Sequence, residues 1–103
     1  MPNKKYEVRI YSSAQKDIQD IKKYLEQVLF TSEKNLLNQF YKEIELLEDF
    51  PEMHPFVNDD YLSSLGYRFF PVGNYLVFYI VKENIVQIHR VIYGRRDYKK
   101  LFE

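Results

Sequence analysis

Tyr67-Arg68-Phe69-Phe70-Pro71-Val72-Gly73-Asn74-Tyr75-Leu76-Val77-Phe78-Tyr79-Ile80-Val81-Lys82-Glu83-Asn84-Ile85-Val86-Gln87-Ile88-His89-Arg90-Val91-Ile92-Tyr93 is the stretch that decides the fold. Aromatic and β-branched residues fill three runs, Tyr67 to Val72, Tyr75 to Lys82 and Ile85 to Tyr93. Such side chains suit a pleated, half-buried surface. Gly73-Asn74 and Glu83-Asn84 separate the runs, and each has the two-residue, turn-prone chemistry of a tight hairpin. Three strands linked in this way make an antiparallel meander, which Gly94 ends.

Upstream the periodicity changes. Tyr6-Glu7-Val8-Arg9-Ile10 alternates apolar with charged residues, the period of a half-buried strand. Ser12 stands three residues before Gln15, the spacing of a capping box. Ala14, Ile18, Ile21, Leu25 and Val28 then recur at helical steps, with Lys16, Asp17, Gln19, Asp20, Lys22 and Lys23 on the other side. Ser32 can cap a second helix, with Glu33 in its first turn. Its apolar stripe is Leu36, Leu37, Phe40, Ile44 and Leu47, and Phe50-Pro51 ends it, because a residue before proline leaves helical space. From Pro51 to Leu65 the punctuation by Pro51, Pro55, Asn58, Asp59, Asp60 and Ser63-Ser64 reads as a loop.

The order strand, helix, helix, strand, strand, strand predicts an α+β, two-layer domain over residues 1–103. A helical hairpin packs on a sheet in which the first strand joins the meander, and a short basic tail follows. Two helices cover one face of four strands, so the other face is expected to stay at least partly open.

At 103 residues this is one domain's worth of chain, which confines any chemistry to a face or shallow groove. Without cysteine there is no disulfide scaffold, thiolate metal site or cysteine nucleophile. The longest apolar run, Tyr75 to Val81, is far short of the roughly 20 residues a membrane span needs. No secretory signal pattern opens the chain, so the expectation is a soluble cytoplasmic protein without a membrane partner. The net charge of zero conceals an asymmetry. Residues 31–60 hold two Lys/Arg against eight Asp/Glu, and residues 61–103 hold seven against three. Attraction to an anionic partner is therefore expected only from the C-terminal third.

Candidate functional residues concentrate there: Arg68, His89, Arg90, Tyr93, Arg95, Arg96, Tyr98, Lys99 and Lys100. Strict alternation places Gln87, His89, Val91 and Tyr93 on one face of the last strand and Val86, Ile88, Arg90 and Ile92 on the other. The second set reads as core-facing, which leaves Arg90 either a working cation or an ion pair at the core edge. His89 can act as an acid or base near neutral pH, or simply pack. With His54 in a separate loop and no ligand spacing, no metal is expected, and no cofactor fingerprint occurs. Tyr93 and Tyr98 beside the basic cluster can stack on a base or pair with phosphate.

The run from Tyr67 to Tyr79, followed by Val86-Gln87-Ile88-His89-Arg90-Val91-Ile92-Tyr93-Gly94-Arg95-Arg96-Asp97, resembles the RelE/ParE superfamily of bacterial toxins. Ser13-Ala14-Gln15-Lys16-Asp17-Ile18 and Leu47-Glu48-Asp49-Phe50-Pro51 fit the same family, and the resemblance covers nearly the whole chain. It implies the toxin of a type II toxin–antitoxin pair, held inactive in a hetero-oligomer by a short cognate antitoxin. ParE-like members inhibit DNA gyrase. RelE-like members cleave messenger RNA on the ribosome through attack of the ribose 2′-hydroxyl. Arg96 matches the arginine that stabilises the transition state in the second branch. The position of a further catalytic arginine is Leu76, and that of a C-terminal catalytic tyrosine is Phe102.

The resemblance is therefore nearer the ParE-like branch, with Arg68, Arg90, Arg95, Arg96 and Tyr98 as the target-binding set. The alternative is an RNase in which Arg96, His89 and Tyr93 do the chemistry. A further alternative is a diverged, non-toxic partner of an antitoxin. Leu76, Phe78 and Ile80 share a strand face and are the expected antitoxin-binding residues, on a surface that a two-helix cover leaves exposed.

Overall fold

The computed structural model describes residues 5–27, 34–94 and 102. Its elements are β1 (Glu7–Ile10), α1 (Ser12–Gln27), α2 (Lys34–Asp49), α3 (Asp60–Ser64), β2 (Tyr67–Val72), β3 (Tyr75–Lys82) and β4 (Ile85–Tyr93). The strands form a four-stranded sheet in the order β1-β4-β3-β2. The meander is antiparallel as expected, and β1 lies parallel to β4, from Glu7 opposite Ile85 to Ile10 opposite Ile88. Among the described residues no helix is long and apolar enough to cross a membrane.

Both hairpins are two-residue turns with a positive φ at the first central residue, 58° at Gly73 and 57° at Glu83. That is the pattern of a type II′ turn. At Gly73 an added Cβ would also lie 3.0 Å from Leu36 of α2, so glycine serves both the turn and the close approach of helix to hairpin.

The helical stripes bury where their spacing predicts. Ala14 of α1 and Phe40 and Leu47 of α2 join Phe70, Val72, Val77, Tyr79, Val86, Ile88 and Val91 in the main core, with Ile18, Ile21, Leu36 and Ile44 packed against it. The helices thus cover the Tyr75-Val77-Tyr79 face of β3. Tyr79, fully enclosed, donates its hydroxyl to the Pro51 carbonyl at 2.9 Å, and burial pushes its pKa up to about 12. Ser12 is already the first helical residue, and the Gln15 amide donates to the Ile10 carbonyl at 2.9 Å, the nearest acceptor where β1 runs almost directly into α1. Val28, Ser32 and Glu33 lie outside the described residues.

Three expectations are corrected. First, the segment read as a loop contains α3, capped by Asp59, whose carboxylate accepts from the Leu62 N–H at 3.1 Å. Second, the sheet face away from α1 and α2 is not left open along its middle. Val57 and Leu62 pack there with Tyr67, Phe78 and Ile92 into a second core, joined by Leu76, Phe69, Ile80 and Phe102. The same segment closes the outer edge of β2: Val57 N–H donates to the Tyr67 carbonyl and Phe69 N–H to the Pro55 carbonyl.

Third, strict alternation fails in β4. Phe78 pairs with Arg90 but Tyr79 pairs with Ile88, so His89 is an extra residue, a β-bulge. One inserted residue exchanges the faces of everything beyond it. Val91 therefore lies in the main core with Val86 and Ile88, while Ile92 lies in the second core.

Candidate functional site

The bulge determines what each candidate residue touches. It turns His89 towards the second face, where the Tyr67 hydroxyl lies 2.8 Å from Nδ1 and the Gln87 Oε1 lies 3.0 Å from Nε2. An amide oxygen only accepts, so Nε2 carries the proton and Nδ1 accepts the phenol O–H. Tyr11 stacks on the ring at 4.8 Å, and Tyr67 meets it edge-on at 5.3 Å. Burial holds the His89 pKa below the ordinary histidine value and raises that of Tyr67. His89 is thus a neutral, fixed imidazole with both nitrogens engaged.

Arg90, the other residue at the bulge, points to α1. Asp17 accepts its Nε at 2.8 Å and its Nη2 at 3.0 Å, and the same carboxylate accepts the Val91 N–H at 2.9 Å. β1 ends opposite Ile88, so beyond it β4 has no strand on that side, while β3 continues along the other. The start of α1 takes its place: Tyr11 N–H donates to the Ile88 carbonyl, Ser13 Oγ to the His89 carbonyl, and Asp17 serves Val91. Donating these hydrogen bonds to Asp17 raises the Arg90 pKa further.

Arg68 is committed elsewhere. Its Nη1 donates to the His54 carbonyl at 2.7 Å, it pairs with Glu52 at 3.6 Å, and its guanidinium stacks over Phe56 at 3.9 Å. This ties the segment after α2 to the edge of the sheet. Arg68 and Arg90 sit on strands separated by β3 and hold different elements, so they do not form one cationic cluster. The rest of the expected cluster, Arg95, Arg96 and Tyr98, together with Lys99 and Lys100, lies outside the described residues.

Tyr93 is exposed at the end of β4, in edge-to-face contact with Tyr75 at 5.9 Å, and is not brought to His89. Leu76, Phe78 and Ile80 do share a face, but it is the face of the second core. Phe78 is fully enclosed there, with Leu76 and Ile80 half-buried beside it. Phe102 meets Phe78 at 5.2 Å and Tyr67 at 4.7 Å, both edge-on. Among the described residues no group of three His, Asp or Glu side chains is placed to hold a metal ion. The residues that sequence reasoning left out are those that hold the candidates: Asp17, Tyr67, Gln87 and Tyr11. Asp17 and Tyr11 lie more than 70 positions from their partners in β4, and no local spacing links them.

The model of the family described as ParE toxin of type II toxin-antitoxin system, parDE, matches residues 8–98. That span takes in every described element except the first residue of β1. No curated protein matches the chain.

Proposed function

Because the chain belongs to the ParE toxin family of type II toxin–antitoxin systems, we propose that it arrests growth by binding DNA gyrase and that a small cognate antitoxin neutralises it. The observation that carries this reading is the chemistry around Phe102. Cleavage through a 2′-hydroxyl needs a base, an acid for the leaving oxygen, and positive charge on the developing phosphorane. Phe102 has no hydroxyl to offer and its ring packs into the second core. Leu76, at the position of an arginine in the nuclease branch, packs into the same core. His89 has one nitrogen bound to Tyr67 and the other to Gln87. A group so placed binds and supports; it does not shuttle protons to a substrate.

The target-facing surface in this reading is centred on Arg95, Arg96 and Tyr98, with Arg68 and Arg90 acting through the fold. Leu76 and Ile80 are the antitoxin-facing positions beside enclosed Phe78. An acidic antitoxin segment complements the positive charge of the C-terminal third.

The test is a supercoiling assay with purified protein beside a coupled translation assay. Inhibition of gyrase that is lost in the Arg95→Ala/Arg96→Ala variant, with ribosome-bound message intact, is the expected result. No inhibition at a molar excess of toxin overturns the gyrase reading. Cleaved message, abolished by Arg96→Ala, would move the protein to the nuclease branch.

A further inference from the structure

The helix α2 and the segment after it carry an apolar tip that the other described residues do not cover. Leu46 is 42%, Phe50 61%, Met53 47% and Phe56 51% exposed. Backbone hydrogen bonds place the first three on consecutive turns of the chain: Phe50 N–H donates to the Leu46 carbonyl and Met53 N–H to the Phe50 carbonyl. Phe56 is held alongside by Arg68, which stacks on its ring while also binding the carbonyls of Glu52 and His54. Single exposed apolar residues need no explanation, but four within eleven residues, on successive backbone turns and beside a stacked guanidinium, mark a contact surface.

The surroundings say what kind of partner fits. Glu45, Asp49 and Glu52 rim the tip, within a segment, residues 31–60, of eight acidic and two basic residues. Among the described residues neither Glu45 nor Asp49 makes an ion pair, and Glu52 has only the 3.6 Å contact with Arg68. Glu45, Leu46, Glu48 and Asp49 of α2 line one open groove with Lys42 and with Lys5, which pairs with Glu48 at 3.8 Å, so Glu45 and Asp49 outweigh the one unpaired lysine there. Apolar anchors inside an acidic rim suit a segment with apolar side chains on one face and lysine or arginine on its flanks.

We propose that the Leu46-Phe50-Met53-Phe56 tip is a docking surface for a basic amphipathic segment of a partner protein. It is distant in sequence from the basic residues 95–100 and does not rest on the identity of the toxin's target.

Two synthetic helical peptides of about 18 residues, five turns, test it: one of leucine and lysine at helical spacing, the other of leucine and glutamate. Each is titrated into the full chain while backbone amide resonances are followed. The lysine peptide is expected to shift the amides of residues 45–56, and to weaken as salt rises to about 0.5 M. Phe50→Ser/Met53→Ser, both exposed, should retain the native melting temperature and bind about tenfold more weakly. Equal binding of the glutamate peptide, shifts confined to other surfaces, or unchanged affinity in the variant would overturn the proposal. Shifts of this patch that grow with protein concentration alone would also overturn it, by making the occupant a second copy of the chain.

Discussion

Asp17 and Arg90, 73 positions apart, meet through two hydrogen bonds of 2.8 and 3.0 Å, and the Asp17 carboxylate also takes the Val91 N–H. Three donors converge on one acid just past the bulge, at the edge β1 leaves uncovered. Its side chain is 14% exposed and that of Arg90 24%, so solvent screens the pair only partly. Removing one partner of such a pair leaves the other charge poorly solvated. Asp17→Ala is expected to lower the unfolding free energy by about 2–4 kcal/mol. Asp17→Asn should lower it less, since an amide oxygen still accepts from Val91. Arg90→Lys loses the two-pronged geometry and should not behave as a silent change. Urea unfolding of the three variants checks this, and midpoints unchanged from the native chain would reject it.

His89 gives a pH dependence whose sign follows from its surroundings. Burial lowers its folded pKa below the ordinary 6.5, so the unfolded chain binds the proton more readily. The stability contributed by the neutral ring is complete above 6.5 and is lost as pH falls from there through the folded value. Protonation also turns Nδ1 into a donor facing the Tyr67 hydroxyl, which must then reverse its hydrogen bond. His89→Gln should flatten this decline. Thermal melts of both proteins between about pH 7.5 and 5 decide it, every other group being common to both. Parallel curves would show that His89 does not carry the dependence.

The turn at Glu83-Asn84 offers a gain rather than a loss. Glu83 adopts φ 57°, a conformation that strains a residue with a Cβ. Glu83→Gly removes that strain but adds backbone freedom to the unfolded chain, for a net stabilisation of about 0.5–1 kcal/mol. A melting temperature raised by a few degrees is the expected reading, and a lowered one would mean that the turn is not strained.

Much of the architecture is legible in the chain because period and turn chemistry agree. The alternation of Tyr6 to Ile10, the stripes through Ile18 and Phe40, and the Gly73-Asn74 and Glu83-Asn84 links each specify one local structure. The covered face of β3 is not legible, because Tyr75-Val77-Tyr79 and Leu76-Phe78-Ile80 are both apolar, and both are in fact covered. The short α3 hides among turn residues, since five residues show too little periodicity to outweigh them. The bulge is invisible for a deeper reason. Nothing in Ile88-His89-Arg90-Val91 marks the extra residue, which depends on the hydrogen bonds that Ser13, Asp17 and Tyr67 bring from elsewhere. His89 and Arg90 can be picked out by residue type, but what they do depends on that displacement.

The two coverings of β3 separate residues that act on the fold from residues that can face a partner. Phe78 is fully enclosed between Phe69, Phe102 and the remainder of the second core. Phe78→Ala should therefore cost about 3–5 kcal/mol of stability, through lost burial and the cavity left behind. Any loss of antitoxin binding in that variant reports the fold. Leu76 and Ile80 flank it and are only half-buried, so their truncation leaves the centre of that core in place. If the antitoxin covers this margin, the Leu76→Ala/Ile80→Ala variant should melt as a folded protein and bind the purified cognate antitoxin about tenfold more weakly. Isothermal titration measures the affinity and the melt controls for folding. A folded double variant with native affinity would remove these two residues from the antitoxin surface and direct attention to the exposed positions around Tyr24 and Tyr93, at the end of β4 that runs past β1.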